Sequence, residues 1–187
     1  MSLFQQQNFL AKLYTDENLR SAFFSEPEKI GKEFFLNESE ITEISEMLRE
    51  EISFFSESLI VKRFREAEKF LPLVRISAGD DFQRLFREFA QLYNPQTVKK
   101  HLEDALEFCV FLQKHTSVSE ISKNAAKYER AKLKFYNDKS PIAICFLRFD
   151  VRKINNQTAL TNGSDEKRKT KIAVWLRFGN KVKHFFI

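Results

Sequence analysis

The side chains best able to do chemistry in this chain are few and far apart. His101, His115 and His184 form no HxH or HExxH pair, and Cys109 and Cys145 form no CxxC. Zinc sites usually show such local spacing, so a metal site here would have to be assembled from distant residues. Cys109 lies in EFCVF and Cys145 in IAICF, apolar contexts that predict buried, reduced thiols. Asp80-Asp81 and Glu103-Asp104 are adjacent acids, but acids are commonplace at helix starts and on helix surfaces. Gly31, Gly79, Gly163 and Gly179 are too scattered for a phosphate-cradling loop, and no GxSxG is present. The expectation is a chain without catalytic, cofactor-binding or metal-binding residues of its own.

Cations are abundant instead. Lys62, Arg63, Arg65 and Lys69 cluster toward the end of a helical stretch, where cations also oppose the negative end of the helix dipole. Arg148, Arg152 and Lys153 follow a strand-like run, and Arg177, Lys181 and Lys183 lie on the last strands. If those strands alternate, Ile172, Val174, Leu176 and Phe178 point one way and Trp175 and Arg177 the other. A face with Trp175, Arg177 and nearby cations could stack and neutralise a nucleic-acid strand. It could equally be a solvated face whose Lys and Arg blunt exposed edges. No RRM, KH, zinc-finger or helix-turn-helix signature is present. The expected contact surface is Lys62, Arg63, Arg65, Lys69, Arg148, Arg152, Trp175, Arg177 and Lys183.

The elements that must position these residues follow from composition and pattern. The chain has 187 residues, 43% hydrophobic and 30% charged, enough to bury a core and too apolar for a disordered chain. Its 21 Phe against one Trp and four Tyr call for rings in a core or an interface. Residues 1–57 carry five Lys/Arg against twelve Asp/Glu, whereas the other 130 carry 26 against 14, an acidic head on a basic body. That asymmetry suggests two docking faces, or one that partly neutralises the other. No apolar run approaches the ~20 residues of a membrane span. MSLFQQQNFL lacks the basic start and apolar stretch of a secretory signal. Together with the thiols, this predicts a cytoplasmic protein away from membranes.

Local signals predict helices over the first ~130 residues. Thr15-Asp16 separates two of them, Ser25-Glu26-Pro27-Glu28 reads as a capping box, and Asn37-Glu38-Ser39-Glu40 starts another helix. A long helix runs from about Glu50 to Phe70 and ends at Leu71-Pro72-Leu73. Gly79-Asp80-Asp81 opens a helix that Asn94-Pro95 breaks; the next runs from about Pro95 to Lys114, and Thr116–Ser119 caps a last one through Arg130. The predicted core includes Phe54, Phe55, Leu59, Leu85, Phe86, Phe89, Leu106 and Val110. After Lys132, the runs LKFY, IAICFLRFDVRKI, KIAVWLRFG and KVKHFFI read as strands. Between them, Asn155–Lys171 is a polar loop, and Gly179-Asn180 is a hairpin turn joining Ile172–Phe178 to Val182–Ile187. The fold class is α+β: a multi-helix part, residues 1–131, then a small antiparallel sheet with a C-terminal hairpin, residues 132–187, packed on it as one cooperative unit.

Three stretches carry a resemblance. FLAKLYTDENLRSAFFSEPEKIGKEFFLNESEITEI is similar to a helical module at the N-termini of some peptide-modification proteins and nitrogen-fixation-associated leader peptides. SFFSESLIVKRFREAEKFLPL with FQRLFREFA, and the strand pair AVWLRFGNKVKHFFI, resemble a bacterial family of accessory proteins. That family is similar to the partner subunits of multinuclear non-haem iron oxidases in modified-peptide biosynthesis, including the methanobactin partner, and to the DNA-binding domain encoded beside such oxidases. The long polar Asn155–Lys171 segment departs from the short connection of those relatives. The resemblance implies a non-catalytic adaptor that holds a protein or peptide partner, such as a precursor peptide and an iron oxidase. A basic nucleic-acid-binding protein is the alternative.

Overall fold

A computed structural model describes residues 3–46, 49–95, 99–154 and 170–187. Nine α-helices precede three strands among these residues, which is the expected α+β order. The chain divides into two compact units, residues 1–62 with 90–94 and residues 63–89 with 95–187. This division falls within a helix rather than at the change from helix to strand.

The smaller unit contains α1 (Leu3–Thr15), α2 (Glu17–Ser25), α3 (Pro27–Glu33), α4 (Glu38–Glu46) and the first part of α5 (Arg49–Glu68). Asp16 caps α2, its carboxylate accepting from the Leu19 N–H at 2.9 Å. Asn37 and Glu40 form a reciprocal capping box: the Asn37 amide oxygen accepts from the Glu40 N–H at 2.9 Å, and Glu40 accepts from the Asn37 N–H at 2.8 Å. The box expected at Ser25 does not form. Ser25 is the last residue of α2, its hydroxyl donating back to the Ser21 carbonyl, and Pro27 opens α3 without a side-chain cap. The Leu36 N–H donates to the Gly31 carbonyl and the Phe35 N–H to that of Lys32, a Schellman ending for α3. Phe35 occupies the left-handed position with φ 61° and is 79% exposed. Phe9, Leu13, Phe23, Leu36, Ile41 and Ile44 form the core, with the Phe9 and Phe23 rings edge to face at 5.2 Å. A Cβ on Gly31 would lie 2.5 Å from Ile41 Cγ1, so α3 and α4 approach as closely as they do only because that side chain is missing.

Two core assignments fail on α5. Phe54 is 79% exposed and Phe55, tilted against Tyr14, is 48% exposed, while Ile52 and Ser56 turn inward. The Arg20 guanidinium donates to Ser56 Oγ and to the Leu13 carbonyl, which explains a polar residue on the buried side. Leu59 is half-buried.

The larger unit contains α6 (Pro72–Ala78), α7 (Asp81–Leu92, apart from its last turn), α8 (Lys100–Lys114), α9 (Glu120–Asn137), a 3₁₀ turn (Val151–Lys153) and the strands β1 (Ile142–Leu147), β2 (Lys171–Phe178) and β3 (Lys181–Phe186). Pro72 thus opens α6 rather than only stopping α5. LKFY is the last turns of α9 rather than a strand, and Val151–Lys153 is helical rather than extended. On α7, Phe82, Leu85, Phe86 and Phe89 recur at helical spacing and are buried, the last three as predicted. Phe82, Phe86 and Phe89 each pack on the ring of Phe108, with centroids 5.1–5.5 Å apart. The buried stripe of α8 is Ala105, Phe108, Cys109 and Leu112; Leu106 and Val110, expected in the core, are half-buried beside it. Helix α9 packs against α8, α6 and the sheet. Its Glu129, 3% exposed, accepts from the Leu73 and Val74 N–H groups at the start of α6, at 2.8 and 3.0 Å.

All strands are antiparallel in the order β1-β2-β3, and the predicted hairpin forms, with Phe178 opposite Lys181. Gly179 has φ 58° and Asn180 has no positive φ, the pattern of a II′ turn. A II′ turn wants glycine first, so Gly-Asn is the favoured order here. The predicted loop from Asn155 onward lies outside the described residues up to residue 169, and Lys171 opens β2.

The core assignments separate two truncations. Phe86→Ala is expected to cost about 3–5 kcal/mol, and Phe54→Ala less than about 0.5 kcal/mol, in urea unfolding. Burial lifts the Glu129 carboxyl from its ordinary 4.5 to about 7, against the two N–H bonds and Lys132. Between these values the folded state holds a proton that the unfolded chain has released. Stability from this group is therefore complete below about pH 4.5 and falls as pH rises through about 7, by on the order of 3 kcal/mol. Unfolding midpoints across that range should show this slope in the native chain and lose it in Glu129→Gln.

Candidate interaction surface on the sheet

The sheet has one covered face and one open face, and the assignment reverses the expectation. Cys145, Leu147, Ala173 and Trp175 are buried on the side toward α9. Trp175 is 1% exposed, with Tyr128 of α9 at 5.2 Å and His184 stacked on it at 4.8 Å, so it cannot stack a nucleobase. Arg177, on the same face, donates to the Ser140 carbonyl at 3.2 Å and the Phe135 carbonyl at 3.3 Å, and its guanidinium lies 4.9 Å from the Phe135 ring centroid. It thus neutralises the carbonyl end of α9.

The opposite face is apolar and, among the described residues, uncovered. Phe146 stands opposite Ile172, which exchanges two backbone hydrogen bonds of 2.9 Å with Ile187. In the next row Ile144, Val174 and Phe185 are neighbours, and in the third Ile142, Leu176 and Lys183. Ile142, Ile144, Phe146, Phe178, Phe185 and Ile187 are 46–70% exposed. At roughly 200 Å² for a fully exposed large side chain, they leave on the order of 600 Å² of apolar surface. That equals or exceeds the largest patch of an ordinary monomer and approaches one side of a standard interface. Lys181 and Lys183 lie at the β3 end of this face.

The remaining expected contact residues are dispersed among local partners. Arg63 is directed inward: Nη2 donates to Asp104 Oδ1 at 2.7 Å and Nε to Oδ2 at 3.1 Å, and the Asp104 side chain is fully buried. Lys69 pairs with Glu66 and Arg148 with Glu120. Arg152 holds Asp150 through two nitrogens and lies over the Phe186 ring at 4.5 Å, and its hydrogen bond holds the Asp150 carboxyl below its ordinary value. Lys62 and Arg65 are exposed on α5. Of the nine residues, only Lys183 lies on the open face.

The two thiols and two of the three histidines have defined surroundings. Cys109 and Cys145 are free and buried, and burial raises both thiols above their ordinary value. His115 Nε2 is 2.9 Å from Glu88 Oε1, and its Nδ1 is 3.0 Å from Ser117 Oγ. Burial, with Lys132 and Arg152 nearby, lowers the pKa of His184. Among the described residues no group of three His, Cys, Asp or Glu side chains is placed to hold a metal ion, and no helix is long and apolar enough to cross a membrane.

Removing the Arg63 guanidinium leaves a buried carboxylate without its bidentate partner. Arg63→Ala should cost about 3–5 kcal/mol in urea unfolding, whereas Arg65→Ala should change stability by less than about 0.5 kcal/mol. No protein-family model matches this chain, and no curated protein matches it.

Proposed function

We propose that the chain is a non-catalytic binding module whose open sheet face docks a protein or peptide partner. The observation that carries this reading is the uncovered apolar face of Ile142, Ile144, Phe146, Phe178, Phe185 and Ile187. Leaving so much apolar surface in water forgoes burial energy that a partner would recover. The adaptor expectation drawn from the resemblance agrees with this reading, and places a precursor peptide or an iron oxidase among the partners to be tried first. Nucleic-acid binding loses its stacking residue in the buried Trp175.

The two classes differ in salt dependence, because apolar burial is not screened whereas phosphate contacts release counterions. The chain should be titrated by calorimetry against the proteins and peptides encoded beside its gene and against random single-stranded oligonucleotides, at about 50 and about 500 mM salt. Expected is salt-tolerant binding to a protein or peptide that Phe146→Asp and Phe185→Asp each weaken at least about tenfold. Tight oligonucleotide binding at physiological salt, lost in Arg65→Ala or Lys183→Ala and kept in Phe146→Asp, would overturn the reading.

A further inference from the structure

The two edges of the sheet differ. Edge strands are ordinarily blunted by charge, proline or a cover, because their free N–H and C=O groups invite another strand. Strand β3 follows this rule through exposed Lys181 and Lys183. Strand β1, IAICFL, has neither a charge nor a proline along its length. The Arg177 N–H donates to the Pro141 carbonyl at 2.8 Å, which fixes the ladder: Pro141, Ala143 and Cys145 turn their backbone groups toward β2. The backbone groups of Ile142, Ile144 and Phe146 therefore point away from the sheet. These three residues also present their half-exposed side chains on the open face, so edge and face meet along one strand.

We propose that the β1 edge accepts an extended acidic peptide segment as a fourth strand, which lays its alternate apolar side chains onto the open face. The proposal rests on reading that face as a docking surface and specifies the mode: main-chain pairing with Ile142, Ile144 and Phe146 supplies affinity, and the neighbouring apolar rows select side chains. Charge selects an acidic segment over a second copy of the chain. The unit that carries the sheet has 25 Lys/Arg against 14 Asp/Glu, so a second copy would bring the same excess of positive charge to the contact. A β1-to-β1 pair would also leave the open face uncovered on both copies.

The probe is a synthetic, fluorescein-labelled peptide of about eight residues alternating Glu with Val and Phe, used with the full chain. Binding is read by anisotropy and by hydrogen exchange. The amides of Ile142, Ile144 and Phe146 should slow at least about tenfold with peptide, while Ala143 and Cys145, already paired to β2, stay unchanged. N-methylation of alternate peptide amides should abolish binding. Ile144→Pro removes only an outward N–H, a change an edge strand tolerates, and should weaken binding far more than Ile144→Ala. Absence of peptide binding, equal binding of the N-methylated peptide, or equal losses in the Pro and Ala variants would overturn the proposal. So would protection of the three amides in the chain alone, growing with its concentration, which would give the edge to a second copy. A partner that binds, is lost in Phe185→Asp and is indifferent to Ile144→Pro would refute the strand-addition mode while leaving the docking face intact.

Discussion

Helix α9 is buried on several sides at once: α8, the short α6 and the sheet all pack against it. A helix enclosed in this way keeps only a narrow polar face, here along Glu120, Lys127 and Lys134, and its sequence shows how the rest of the constraint is met. Ala125 and Ala126 are fully buried and let neighbours come close. Most of the polar side chains that turn inward are occupied, the Nε of Arg130 being the exception. Asn124 donates to the Glu120 carbonyl and accepts from the Arg148 N–H just past β1, and Glu129 takes two free N–H groups of α6. At the far end, the carbonyl of Phe135 receives both the Ser140 N–H and the Arg177 guanidinium of β2. The inward polar groups thus tie α9 to the elements it meets, where unpartnered ones would each cost about 1–3 kcal/mol.

This arrangement determines which face of the sheet is left over. Ala173 and Trp175 are committed to α9, and the antiparallel alternation then sends Ile172, Val174, Leu176 and Phe178 to the other side. Among the described residues of this unit, one helix covers the three strands and no second layer packs on that side. The Lys residues of β3 limit what can approach along one edge, while β1 carries no such guard.

Where a signal is local, the sequence was readable. Asp16, the Asn37–Glu40 box, the four-residue apolar rhythm of α7 and the Gly179-Asn180 turn each work within a few residues, and each forms where the pattern places it. The orientation of the sheet was not readable in the same way. Alternation divides β2 into two faces but does not say which is covered, and a face with Trp and Arg looks outward until Arg177 is seen capping a helix that ends 40 residues earlier. The pairing of Arg63 with Asp104 spans 41 residues, so nothing near Arg63 marks it as a buried ion rather than a surface contact. On α5, aromatic size suggested Phe54 and Phe55 for the interior, while the inward positions belong to Ile52 and to Ser56 held by Arg20.

The end of α3 shows that stability is not at its maximum in this chain. Phe35 holds a left-handed backbone angle that glycine would occupy without penalty, and its ring is left in water. A non-glycine residue there forgoes about 1 kcal/mol. In a unit of this size that corresponds to several degrees of melting temperature, roughly 4–8 °C. The helical unit therefore carries an unused thermal reserve at a single codon, open to engineering without touching the core.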